Sequence, residues 1–223
     1  MLLTSLNTII TKFAIPTLTI SVAIIAHEKH WGVFNFFTMP LFLEILLCII
    51  LFDLIIYAQH YIFHHIPLLW RIHRVHHTDV EFDVSTSLRF HPVEIILSLI
   101  VKSGAVLVLG ASLEAIILFE VILNVMAMFN HSNIKLPLKL ENVLRMILVT
   151  PDMHRVHHSI RECEQASNFG FNLSIWDKLF ATYKSKPLNG HILMEIGVLK
   201  FKQLHRLNFI ALLSQPFQKA LDE

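Results

Sequence analysis

His73-Arg74-Val75-His76-His77 and His154-Arg155-Val156-His157-His158 are one pentapeptide occurring twice in the same chain. A further pair, His60 and His64, stands just ahead of the first copy. On a helix, HxxxH puts two imidazoles on one face, and HxxHH puts two or three there. Imidazole suits iron, zinc and copper, so each cluster is a potential metal-binding face. One such spacing is weak evidence. Three clusters in a chain with 15 histidines are strong evidence. One ion takes about three or four protein ligands, so eight or nine clustered histidines suit two ions.

The clusters sit in an apolar chain. Of 223 residues, 54% are hydrophobic and only 16% are charged, and the mean hydropathy is +0.59. A soluble domain of this size carries more charge. The apolar residues also come in long runs, which points to an integral membrane protein. Net charge is +1, and no basic stretch interleaved with aromatics suggests nucleic-acid binding. Cys48 and Cys163 are isolated, which excludes a CxxC redox or metal motif.

Four apolar helices are expected, at about 2–26, 40–64, 93–109 and 111–129. The first contains Pro16 and Lys12, and reads as a span with Lys12 reaching toward the interface. His27-Glu28-Lys29-His30-Trp31 has one residue too few for HExxH, and reads as a loop. The second helix opens near Pro40 and continues to His64. Asp53, Tyr57, His60 and His64 share one of its faces. At about 1.5 Å rise per residue, Asp53 lies about 10 Å below His60. That is too far for a ligand, but suits a residue that orients Tyr57 or, with Tyr57, relays a proton. Pro67 restarts the chain as the helix bearing the first HRVHH.

Gly110 divides the next two runs into a hairpin that returns to the face it left. Lys102 and Glu120 fall at similar depth on its two arms, and an ion pair between them is expected. The returning arm delivers His131. Residues 137–149 read as an interfacial segment. Thr150-Pro151-Asp152 is a strong helix start for the second HRVHH. Trp176, Phe180 and Tyr183 read as an interface grip or as core.

Fifteen of the 18 Lys and Arg lie in 57–92 and 130–223. The hairpin puts those segments on one side, which by the positive-inside rule is the cytosol. The expected fold is therefore all-α: a multi-pass membrane protein forming one domain, 1–223. A cytosolic helical cap (57–92 and 130–183) would carry the two-metal site.

The donor set is nearly all nitrogen. The chain contains no Glu-x-x-His, the motif of carboxylate di-iron bundles. Neutral imidazoles leave the charge of two dications for small anions, including reduced oxygen, to balance. Oxygen chemistry is favoured on that ground, and a dinuclear zinc hydrolase stays open.

Asp53-x3-Tyr57-x2-His60-x3-His64, the two HRVHH segments, Arg89-Phe90-His91-Pro92-Val93-Glu94, Phe129-Asn130-His131-Ser132, Ser167-Asn168-Phe169-Gly170 and Trp176-Asp177-Lys178-Leu179-Phe180 together resemble the fatty acid hydroxylase superfamily. That group contains sterol desaturases and alkylglycerol monooxygenase, and the pattern is most similar to its bacterial sterol-desaturase-like branch. Tyr61 departs from it, since Arg is common at that position. The resemblance implies a non-haem di-iron oxidoreductase that uses O₂ to hydroxylate or desaturate a C–H bond of a membrane lipid. It implies His60, His64, His73, His76, His77, His154, His157 and His158 as ligands to two iron ions, with His131 a ninth. His91 stands as a ligand or a partner behind one. No nucleotide-binding glycine motif, cysteine cluster or haem motif is present, so a separate reductase, cytochrome or ferredoxin is implied. The rivals are a membrane zinc hydrolase and a metal transporter or sensor, which should hold its ligands at mid-membrane.

Overall fold

The computed structural model describes residues 2–201 and 208–218. The side chain of Lys12, and with it the depth expected for that charge, lies outside the described residues. Among the described residues the chain is helical, with two isolated bridges, Leu148–Leu173 and Ser159–Ile196, and no strand.

The first apolar run is not one uniform helix. α1 (Leu2–Ala14) passes through a π-type turn (Ile15–Ile20), which contains Pro16, into α2 (Ser21–Glu28). Proline removes a backbone donor, and a wide turn is a common way to absorb that loss. The run packs along the outbound arm of the hairpin, with Thr19 Oγ1 3.4 Å from Ser103 Oγ. His27 and Glu28, expected in a loop, are instead the last residues of α2, and only Lys29 and His30 form the turn that follows.

α3 (Leu41–His65) begins one residue after Pro40 and ends where Pro67 forbids continuation. α4 (Pro67–His77) carries the first HRVHH. A short 3₁₀ turn, Val84–Leu88, starts with a capping box made by Asp83 and Thr86. α5 (Pro92–Leu109) and α6 (Leu113–Asn130) are the hairpin, with Gly110 left-handed at φ 68° between them. α3, α5 and α6 are each long and apolar enough to cross a membrane. Phe52, Ile56, Val106, Ile116 and Phe119 form their shared core.

Two of the acids in these helices tie neighbouring segments together. Glu44 of α3 accepts the Ser112 N–H at the start of α6 (2.9 Å). Lys102 and Glu120 form the expected ion pair across the hairpin. At the closed end, Gly32 meets Gly110 backbone to backbone, and a Cβ on Gly32 would stand 2.1 Å from the Gly110 nitrogen.

The cap follows. α7 (Leu138–Leu144) leaves Leu138, Leu140 and Val143 exposed. α8 (Pro151–His157) carries the second HRVHH, and Thr150 caps it by accepting the Met153 N–H. Short turns α9 (Glu162–Gln165), α10 (Ile175–Leu179) and α11 (Gly190–Leu193) complete the cap. α12 (Phe209–Ser214) leads into a C-terminal turn seated against α4.

Candidate metal centre

The fold brings the nine expected histidines together as two groups. His60, His64, His73, His77 and His157 form the first, and His76, His131, His154 and His158 form the second. Within each group the ligand-capable nitrogens all lie within 4.8 Å of one another. Each HRVHH is divided between the groups. The first copy sends His73 and His77, four apart on one face, to one group and His76 to the other. The second copy does the reverse, sending His154 and His158 to the second group and His157 to the first. The groups adjoin where His77 stacks on His158, with ring centroids 4.4 Å apart.

Backbone carbonyls and one carboxylate fix how these rings present themselves. His60 Nδ1 lies 2.9 Å from the Phe169 carbonyl, His131 Nδ1 2.8 Å from the Ala127 carbonyl, and His157 Nδ1 2.7 Å from the Ser167 carbonyl. His73 Nδ1 lies 2.7 Å from Glu94 Oε1. Such oxygens only accept, so each of these Nδ1 atoms carries the hydrogen and each Nε2 carries a lone pair. His60 Nε2 and His73 Nε2 then face each other at 3.1 Å with no hydrogen between them. His77 and His73 approach at 3.2 Å, and His131 reaches both His76 and His154 at 3.1 Å, all through Nε2. The Nε2 atoms of His64 and His157, and both ring nitrogens of His158, are buried with no hydrogen-bond partner among the described residues.

Opposed lone pairs and orphaned buried nitrogens are costly on their own, and a cation between them removes the cost. Ligands about 2.1 Å from an ion stand about 3.0 Å apart at right angles and about 3.4 Å apart at tetrahedral angles. The observed 3.1–3.2 Å contacts fall in that interval. The residues therefore fit metal binding, with ring orientation set from behind by carbonyls and a carboxylate. Burial also keeps the rings neutral. It pushes His131 down to about 4 and His157 down to about 3. It holds His76, His77, His154 and His158 well below 6.5.

His91 lies outside both groups. Its Nδ1 accepts the Val93 N–H, capping α5, and its Nε2 lies 3.2 Å from the Leu213 carbonyl. Both nitrogens are thus committed to the backbone. Asp53 is fully buried, and accepts the backbone N–H groups of Asn172 (3.2 Å) and Leu173 (3.0 Å) and the Trp176 indole N–H (2.9 Å). Tyr57 bonds Thr182 Oγ1 at 2.8 Å and stacks on Phe180.

Glu94 and Asp177 had no assigned role in the sequence reading. Asp177 accepts the N–H groups of Phe169 (2.7 Å) and Gly170 (2.8 Å), and so holds the carbonyl that orients His60. Gly170 leaves room for it, since a Cβ there would stand 2.6 Å from Asp177 Oδ2. The spacing signals for both residues are short, and only their distant partners give them meaning. A cavity of about 570 Å³ opens from His60, His73, His76 and His154 and runs between α1, α3, α5 and α6 to Lys102 and Glu120.

A family model described as fatty acid hydroxylase matches residues 45–182, the segment that holds all nine histidines. The chain belongs to the fatty acid hydroxylase family. An ornithine lipid hydroxylase of Rhizobium tropici is 26% identical over 210 residues, covering 94% of this chain and 60% of that protein. A human alkylglycerol monooxygenase is 31% identical over 133 residues, covering 58% of this chain and 28% of the relative. A mouse cholesterol 25-hydroxylase is 28% identical over 147 residues, covering 65% and 48%. This fatty acid hydroxylase family member thus spans 60% or less of the length of these curated relatives. No solved structure matches it significantly.

Proposed function

We propose that this chain is a membrane-bound, non-haem di-iron oxidoreductase that uses O₂ to hydroxylate or desaturate a C–H bond of a lipid. The observation that carries this reading is the pair of inward-facing histidine groups at the head of a largely apolar cavity. The names of these three relatives, two hydroxylases and a monooxygenase, support it.

His60, His64, His73, His77 and His157 would hold one iron, and His76, His131, His154 and His158 the other. The chemistry supplied by two bound irons is reduction of O₂ and removal of hydrogen from an unactivated carbon. The chain's own residues prepare for it. Glu94 and the carbonyls of Ala127, Ser167 and Phe169 hold the imidazole lone pairs inward. Phe63, Leu99, Leu123 and Phe171 line the cavity, grip a hydrocarbon chain and keep water from it. Asp53 ties the membrane helix to the cap loop, and so keeps His60 and His64 in register with α8. Tyr57, bonded to Thr182, completes that contact, and we assign the pair to positioning ahead of proton relay.

The basic-residue distribution supports a cytosolic cap, reached by an electron donor on a separate chain. Residues 1–223 act as one unit in this reading.

Metal analysis of anaerobically purified protein tests it. Two irons per chain, a spectral change on exposure to O₂ and oxidised lipid support the proposal. Zinc alone, with hydrolytic turnover and no O₂ uptake, overturns it in favour of a zinc hydrolase. Metal flux across vesicles without lipid oxidation overturns it in favour of a transporter.

A further inference from the structure

The cavity is apolar along most of its length but not at its floor. Ile56, Phe63, Leu99, Leu123 and Phe171 face it, while Lys102 and Glu120 line it farthest along α5 and α6 from the histidines. Polar atoms also recur along one stripe of α5. Glu94, Ser98 and Lys102 are spaced four apart and share a face. Glu94 Oε2 is buried without a hydrogen-bond partner among the described residues, as is Oε1 of Gln59, whose amide donates to Ser98. The ion pair is only 12% and 16% exposed. Among the described residues, Glu120 is the one hydrogen-bond partner of the three-donor Lys102 ammonium.

Such a floor discriminates between lipid ends. A methyl terminus pressed against it would strip water from an ion pair and offer nothing in return. A lone carboxylate or ammonium would add net charge to a pair that is already neutral. A hydroxyl or amide can accept from Lys102 and donate to Glu120 without adding charge. We infer that the Lys102–Glu120 pair is a receptor for a neutral hydrogen-bonding group of the lipid substrate. Its position sets which carbon reaches the histidines. Lys102 lies eight residues below Glu94, about 12 Å at about 1.5 Å rise per residue. The carbon attacked therefore lies about that far from the polar group. This specificity rests on the oxidative reading of the histidine site, but the binding it requires does not.

The test is equilibrium binding to the full chain in nanodiscs, using dodecanol, the alkane of equal length and dodecanoate. Each is corrected for partitioning into empty nanodiscs. The unaltered protein should bind dodecanol at least tenfold more tightly than either of the others. The charge-swapped double variant Lys102→Glu with Glu120→Lys should keep that order. Lys102→Met with Glu120→Met should lose the preference for the alcohol and gain affinity for the alkane. A dodecanol analogue with a photoreactive group beside the hydroxyl should label residues near 102 and 120. Equal binding of alcohol and alkane by the unaltered protein overturns the inference, whether or not the variants fold. So does labelling confined to the cap. Alcohol-selective binding by a protein that oxidises no lipid would leave this site standing and remove the oxidative reading instead.

Discussion

His73 Nδ1 and Glu94 Oε1 are 2.7 Å apart, and both residues are buried. The contact runs from α4, a cap helix, to the first turn of α5, a membrane-capable helix. It fixes the His73 tautomer and joins the metal site to the wall of the cavity. Removing such a partner behind a metal-binding histidine costs about 10–100-fold in metal affinity or activity. Glu94→Ala should therefore lose a bound metal to a chelator about 10–100 times more readily. Glu94→Gln, which keeps an acceptor, should fall between it and the native protein. Metal retention during chelator titration measures this.

Asp53 carries the corresponding joint on α3. Asp53→Ala leaves two backbone N–H groups and an indole N–H without their acceptor. At about 1–3 kcal/mol for each unsatisfied buried group, the loss should be about 3 kcal/mol or more. Thermal unfolding in detergent should show it, and Trp176 fluorescence should shift toward that of a solvated indole. A variant with native stability and silent turnover would instead favour the proton-relay role.

Arg74, the second residue of the first HRVHH, faces away from the metal groups. Its Nη2 donates to the carbonyls of Gln215 and Gln218, at 2.7 Å each, and its guanidinium lies over Phe201. Arg74→Met should release the C-terminal segment at a cost of about 2–4 kcal/mol. Limited proteolysis should then cut within 208–218 before the cap. The equivalent Arg155 bonds Asp152 and the Ser132 carbonyl, so Arg155→Met should leave the C-terminal segment protected.

Burial depresses His131 to about 4 and His157 to about 3, below the ordinary 6.5. As pH falls below 6.5, the unfolded chain takes up protons before the folded one can. The stability of metal-free protein should be fully present above pH 6.5. It should decline as pH falls through the window down to about 4 and then about 3. Chemical unfolding of the metal-free protein at a series of pH values checks the direction. Stability that rises on acidification over this range would contradict neutral, buried imidazoles.

Much of the site was legible without a structure, because its chemistry repeats at helical spacing. HRVHH occurs twice, HxxxH precedes it, and helix geometry alone puts His73 beside His77 and His154 beside His158. The hairpin followed from Gly110 between two apolar runs, and the Lys102–Glu120 pair followed from equal depth on its arms. Asp53 was legible as a buried acid, but its partners lie more than a hundred residues away, in a loop and the start of α10, whose local sequence does not announce them. His91 shows the converse: it sits in a family-like motif, yet both its nitrogens serve the backbone.

By itself, the sequence determined a helical membrane protein with enough clustered imidazole for two ions. Periodicity and hydropathy are local properties, and any helix expresses them. Only the tertiary structure decided that each HRVHH is shared between two histidine groups, that His131 joins the second and that Glu94 stands behind His73. Only it showed that an ion pair lines the cavity. Those relationships depend on how α3, α4, α6 and α8 converge, which is set by packing and by contacts such as Asp53 to Trp176. Such contacts join residues that chain spacing cannot relate.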